Sequence, residues 1–268
     1  MRRTQRVHLT PAEAAEKGLR CRSHLRAERL MPAPDALPAG TVWQGQGAYN
    51  VYAVADCVPW QWAPGPTQRR RQSVSAQAQG LIDQQCIVLD TESTGIGCDD
   101  EVCEIAIVDV DGAVLLDTLI RPCKPIPKEA TAIHGITDAM VATAPRWPDV
   151  SEQFETLVLG RTVVTYNAAF DARLLRQTHQ LHSLTAPPLA TACLMQMFAT
   201  WNGEWDKGRD SWRWLKLIDA ATECDAACDG AHRALADARM ALGVLRYLQQ
   251  RRNGKRPARK SKGASLHI

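Results

Sequence analysis

Four carboxylates and one histidine, spread from residue 90 to residue 237, fall in short segments whose spacing suits metal-assisted hydrolysis. Asp90-Thr91-Glu92-Ser93-Thr94-Gly95 follows the apolar run Cys86-Ile87-Val88-Leu89. Because strand side chains alternate faces, Asp90 and Glu92 should emerge side by side and offer paired oxygen ligands. Asn167-Ala168-Ala169-Phe170-Asp171 follows the β-branched run Thr162-Val163-Val164-Thr165, and His232-Arg233-Ala234-Leu235-Ala236-Asp237 opens the last long helical pattern. Ile133-His134-Gly135-Ile136-Thr137 places a further histidine in an expected loop. Clustered carboxylates bind hard cations, and histidine, with an ordinary pKa of about 6.5, can accept a proton near neutrality. Phosphodiester hydrolysis needs both: an activated water, relief of charge on the phosphoryl oxygens and a stabilised leaving alkoxide.

His232 and Asp237 are five residues apart, a separation of about 140° on a regular helix, so they cannot share one helical face. His232 is therefore expected at the helix mouth and Asp237 one turn inside. Each segment alone has an ordinary alternative: a solvated strand end, a helix opening, an Asn accepting backbone N–H groups. It is their order that sets the chain apart: strand then carboxylate pair, strand then Asp, loop then His and Asp.

In that order the chain resembles the DEDDh exonucleases, the DnaQ-like 3′-to-5′ family, over residues 84–250. The resemblance implies an RNase H-like α/β fold, a mixed five-stranded sheet flanked by helices. It further implies that Asp90 bridges two Mg²⁺ or Mn²⁺ ions about 3.5–4 Å apart. Glu92 and Asp237 would complete the catalytic-metal site, Asp171 would hold the second ion largely through water, and His232 would be the general base. Thr94, Gly95, His134, Asn167 and Phe170 would meet the terminal nucleotide, Phe170 by stacking or else as plain core. The expected activity is release of nucleoside monophosphates from single-stranded 3′ ends of DNA, with a polymerase or a replication or repair protein as partner. RNA or short oligoribonucleotides are the alternative, since the residues that would read a 2′-OH cannot be placed from these motifs. A non-catalytic nucleic-acid or polymerase-binding protein would be expected to have lost metal ligands, and none is missing here.

The elements that must position these residues are legible in outline. Cys86–Asp90, Val102–Val110 and Ala113–Ile120 read as strands, the last two joined by Asp111-Gly112, a type I′ hairpin signal. A fourth strand is expected at 161–165 and a short fifth near 189–192. Helical patterns run over 148–158, 168–181, 192–199, 212–221 and 231–251. Residues 1–62 read as a small α+β module: a helix over 10–29 opened by a Thr10/Glu13 capping box, then short strands between 41 and 58 around the glycines at 45 and 47. Residues 63–83 read as a linker, with two prolines, three consecutive arginines and a Ser/Gln/Ala/Gly stretch. Residues 251–268 read as a disordered basic tail.

Charge divides along the same lines, +6 over residues 1–80, −10 over 81–250 and +7 over 251–268. An acidic centre with basic flanks suits a cation site whose nucleic-acid substrate is held through its phosphates. The 9 cysteines sit mostly in apolar company. With no secretory signal at Met1-Arg2-Arg3 and no run near 18 apolar residues, a reducing cytoplasm and no membrane are expected. Cys224-x3-Cys228 and Cys21-x2-His24, the latter with His8 and Cys57, are weak zinc patterns without paired Cys-x2-Cys spacing. Gly95-Ile96-Gly97 lacks the third glycine and the opening helix of a dinucleotide fingerprint. Trp201, Trp205, Trp212 and Trp214 are conspicuous among 15 aromatics; they could stack on bases, but core packing of Trp212 or Trp214 is the stronger expectation.

Overall fold

Strand β1 (His8–Leu9) runs into Thr10, whose hydroxyl accepts the Glu13 N–H while the Glu13 carboxylate accepts the Thr10 N–H at 2.7 Å. This reciprocal cap starts α1 (Pro11–Glu16). The single helix expected over 10–29 does not form. Gly18 takes φ +65° and ends α1, and β2 (Leu19–Cys21) pairs into a sheet before α2 (Arg22–Ala27) begins. Strands β3 (Leu30–Pro32), β4 (Gly40–Gln44), β5 (Gly47–Ala53) and β6 (Cys57–Pro59) follow. The sheet order is β1-β4-β5-β2, with β3 paired to β6, over a small core that includes Leu9, Ala14, Val42 and Val51. The computed structural model describes residues 7–44, 47–60, 64–226 and 230–251, in two compact units that divide between Pro64 and Gly65. The glycine at 45, Cys228 and the basic tail from residue 252 lie outside the described residues.

The segment expected as a linker is helix α3 (Pro66–Asp83) and belongs to the second unit. Pro66 occupies the first turn, where a missing N–H leaves no bond unmade. Strands β7 (Ile87–Ser93), β8 (Val102–Asp109) and β9 (Val114–Leu119) then form an antiparallel meander. Its second turn differs from the type I′ expectation. Only Gly112 has positive φ, at 92°, and its N–H bonds the Asp109 carbonyl at 3.1 Å. That is a type I turn closed by a left-handed glycine, with the register shift falling between Ile107 and Val108.

Helices α4 (Lys128–His134), α5 (Asp138–Val141) and α6 (Trp147–Val158) lead to β10 (Thr162–Thr165), which pairs parallel to β7. Helix α7 (Ala168–Leu181), strand β11 (Ala190–Cys193) and α8 (Leu194–Asn202) follow, then the short hairpin β12 (Trp205–Asp206) and β13 (Ser211–Trp212), α9 (Leu217–Glu223) and α10 (Ala234–Gln250). The helix expected over 212–221 thus starts only at Leu217. The main sheet runs β11-β10-β7-β8-β9, mixed and flanked by helices.

Alternation along β7 sorts its residues between two cores. Ile87 and Leu89 pack with Trp147, Phe154, Leu174 and Leu175 of α6 and α7. Val88 points the other way, into the layer of α3, α8, α9 and α10. Among the described residues no helix is long and apolar enough to cross a membrane.

Candidate active site

Asp90 and Glu92 continue the face of Val88, so both carboxylates point toward α10 where the sheet's apolar cover ends. Asp237, one turn inside α10, meets them: ligand oxygens of Asp90, Glu92 and Asp237 lie within 4.8 Å of one another. Thr91 takes the opposite face, and its hydroxyl donates to Asp171 Oδ1 at 2.9 Å. Asp171 is 5% exposed and sits in the first turn of α7, which begins just beyond the end of β10. Helices on opposite faces of the sheet therefore deliver one carboxylate each to the end of β7.

His232 lies outside α10, exposed, with φ +64°, ahead of the N-cap residue Arg233. Its backbone N–H donates to Asp237 Oδ1 at 3.2 Å. The cap of α10 comes from a different element. Glu104 of β8, 3% exposed, accepts the Ala234 N–H at 2.9 Å and the Arg233 guanidinium through Nε at 3.1 Å and Nη2 at 2.5 Å. Sequence reasoning missed Glu104; its one signal was an acidic side chain inside an apolar strand, where a charge must find partners.

The charges leave a surplus. Burial, then Asp171, Asp237, Glu92 and Glu104, push the Asp90 carboxyl well above the usual range. Burial and the neighbouring Asp237 and Glu104 push Glu92 up to about 8. Asp171 is pushed up to about 6 by burial, with Thr91 holding it back. Asp237 is also raised by burial, against the His232 N–H. Negative charge confined this closely, with donors that are all oxygen, is the environment a hard divalent cation such as Mg²⁺ or Mn²⁺ relieves.

The other expected site residues are placed as follows. Thr94 is 4% exposed and is used within the protein, donating to Asp100 Oδ1 at 2.9 Å and accepting the Glu101 N–H at 3.0 Å. A Cβ at Gly95 would lie 2.5 Å from Asp100 Oδ2, so the packed carboxylate accounts for this glycine. His134, expected in a loop, is the last residue of α4, with Gly135 at φ +75° behind it. Its Nδ1 accepts the Ile136 N–H at 3.0 Å, which puts the ring proton on Nε2, 3.2 Å from the Ser93 carbonyl. Burial holds its pKa down, and both ring nitrogens are spent within the protein, Nδ1 on the turn after α4 and Nε2 on the end of β7. Asn167 is exposed and makes no side-chain capping bond. Phe170 is partly buried against the α6–α7 core, with the Arg173 guanidinium 5.3 Å from its ring centroid.

Of the four tryptophans between 201 and 214, the buried one is Trp201, at 1% exposure. Trp212 packs edge-on to Trp205 at 4.9 Å under Arg70, and Trp214 is 45% exposed, against the expectation that one of the last two fills the core. Cys21 and Cys57 spend their thiols locally, on Ser23 Oγ and the Ala53 carbonyl, and among the described residues they form no metal group with His8 and His24.

The profile of the Exonuclease family, RNase_T, matches residues 87–245, the segment that carries all five residues. The chain belongs to the DnaQ-like DEDDh exonucleases. Exonuclease CP81 of Escherichia phage 186 is 42% identical over 181 residues, covering 65% of this chain and 92% of that one. Exodeoxyribonuclease 10 of Escherichia coli K12 is 41% identical over 91 residues, 33% of this chain and 39% of its own length. The structure of E. coli Exonuclease I in complex with a dA16 oligonucleotide superposes with a TM-score of 0.51 at 18% identity, covering 63% of this chain and 42% of that one, and so shares the fold. As a DEDDh exonuclease the protein acts on nucleic acid.

Proposed function

We propose that this exonuclease removes nucleoside monophosphates from the 3′ end of single-stranded DNA. The observation that carries the reading is the convergence of Asp90, Glu92 and Asp237 within 4.8 Å, beside a histidine held outside its helix. In this reading Asp90, Glu92, Asp237 and Asp171 hold two divalent ions, Mg²⁺ or Mn²⁺. Those ions, when bound, supply Lewis-acid stabilisation of the phosphoryl and leaving oxygens and make the attacking water more acidic. The carboxylates fix the position of the scissile phosphate, and Asp171, anchored by Thr91, keeps α7 in register with that position. His232 takes the proton of the attacking water. Its place on the chain before the helix frees the ring to swing toward the phosphate, while its backbone stays tied to Asp237. Asn167 and Phe170, at the start of α7, are the side chains available to the terminal nucleotide, Asn167 because capping does not use it.

DNA as substrate is supported by the name of the 41% identical relative, an exodeoxyribonuclease. The test is degradation of 5′-labelled single-stranded DNA and RNA of matched sequence, with and without Mg²⁺. A ladder shortening from the 3′ end on DNA, dependent on Mg²⁺, is expected. Faster loss of the RNA would move the substrate to the ribonucleotide side, and shortening of a 3′-blocked strand would overturn the polarity.

A further inference from the structure

We propose that Glu101, Cys123 and His182 form a second metal site that takes Zn²⁺ and fastens the segment after β7 to the end of α7. Nothing in the exonuclease reaction calls on these residues. Oxygen, sulfur and nitrogen donors from the three side chains lie within 4.8 Å of one another. His182 Nε2 is 3.2 Å from Glu101 Oε2 and 3.7 Å from Cys123 Sγ. Tetrahedral Zn²⁺, with bonds of about 2.0–2.1 Å to nitrogen or oxygen and about 2.3 Å to sulfur, separates its ligand atoms by roughly 3.3 and 3.6 Å. His182 therefore stands from each of its two partners at nearly the spacing a shared ion imposes.

One imidazole nitrogen faces two acceptors here. An Nε2–H can serve the carboxylate or the sulfur, whereas a cation between them serves all three. Thiolate plus imidazole selects a borderline-soft ion over Mg²⁺. The Glu101 and His182 side chains are 2% and 7% exposed, while Cys123 is exposed and opens the site to an entering ion and a fourth, water, ligand. The other Glu101 oxygen is fixed by the Cys123 N–H at 2.5 Å, so the carboxylate is oriented before any ion arrives. Two cations lie close. Lys124 is bonded to Asp99, and Arg146 partly offsets the burial and the Glu101 charge that together push the Cys123 thiol up, so the thiolate forms with the ion rather than before it. Binding releases the Cys123 thiol proton to solvent, and the imidazole stays neutral with its proton on Nδ1.

The three residues come from separate places. Glu101 immediately precedes β8 and closes the loop after β7 through its backbone bonds to Thr94. Cys123 follows β9, and His182 caps the C-terminus of α7. An ion there ties the loop behind Asp90 and Glu92 to the helix that carries Asp171.

The full-length protein, stripped with EDTA, would be titrated with Co²⁺ and read at the sulfur-to-cobalt charge-transfer band, which the all-oxygen cluster cannot produce. A band bleached by Zn²⁺ is expected in the unmodified protein, and in Asp90→Asn/Asp237→Asn, where the carboxylate cluster competes less for the ion, it should persist and saturate at one Co²⁺ per chain. Cys123→Ser and His182→Ala, with unchanged circular dichroism, should each abolish it. No band in the unmodified protein, or a band that survives in either variant, overturns the site. Bleaching by Zn²⁺ is read on the unmodified chain, so the answer does not depend on a variant folding.

Discussion

Glu92 and Glu104 stand directly opposite each other on β7 and β8 and share a face of the sheet, yet their surroundings are opposite. Glu104 receives a guanidinium, a backbone N–H and the positive end of a helix. Glu92 receives the carboxylates of Asp237 and Asp90. One turn of α10 makes the difference: Arg233 and Ala234 reach across to β8, and Asp237, four residues past Arg233, reaches β7. A charge whose partners come from the chain is part of the scaffold, and one whose acidic neighbours outweigh the single nearby cation, Arg233, is kept for a ligand the chain does not supply.

The sharpest way to break this contrast is to remove the carboxylates. Asp90→Ala, Glu92→Ala and Asp237→Ala should each abolish nucleotide release, while the melting temperature of the metal-free protein holds or rises because mutual repulsion falls. Wild-type turnover by purified Asp237→Ala would show that the acidic cluster is not the reaction centre. Next in size, His232→Ala should lower the single-turnover rate by roughly 10²- to 10⁴-fold, the usual scale of a lost general base, with metal affinity unchanged. A loss under about threefold with an unaltered pH profile would leave His232 as no more than the residue whose N–H holds Asp237.

Smaller effects separate the two glutamates directly. Glu104→Gln removes the charge under Arg233 and weakens the α10 cap, and should cost about 1–3 kcal/mol of stability by urea unfolding. Glu92→Gln in metal-free protein should not destabilise; equal losses in both variants would erase the distinction. Acidity gives the finest reading. Glu92, at about 8, and Asp171, at about 6, are raised above ordinary carboxylates, so the folded chain binds more protons than the unfolded one between about pH 4.5 and 8. Stability of the metal-free protein should therefore be greatest at the acid end of that window and fall as pH rises through it. Mg²⁺ should restore it at pH 8 by binding only the folded state. A flat profile in EDTA would mean the cluster is already neutralised from within the chain.

The carboxylates were legible because two periods bear directly on them: alternation along β7 pairs Asp90 with Glu92, and the helical period separates His232 from Asp237. The residues that support them were not, since partners supplied by distant elements leave no local pattern. Glu104 caps a helix 130 positions away, and His134 reads as a loop residue until its ring is seen joining the α4 terminus to Ser93. The helix expected over 10–29 failed at one glycine, whose conformation outweighed the surrounding propensity. Helix α3 was hidden for another reason. It buries small or polar side chains such as Ser75 and Ala78 along with Val74, so its apolar period is faint, and its Gln/Ser/Arg composition resembles a linker.

That helix fixes where the catalytic unit can be cut. Val74 and Ala78 belong to the same core as Trp201, Leu245 and Leu248, and Arg70 and Arg71 donate to the carbonyls of Thr200 and Trp201 at the end of α8. Arg70 also lies where a Cβ on Gly203 would have to go, so the glycine that ends α8 and the arginine that covers it fit as a pair. A gene fragment begun at residue 84, just ahead of the first catalytic strand, would yield a chain with an open greasy seam along α10 and two unanswered carbonyls. One begun at residue 65 would keep both closed, and comparing the soluble yields of the two fragments would show how far the enzyme's working boundary lies upstream of its chemistry.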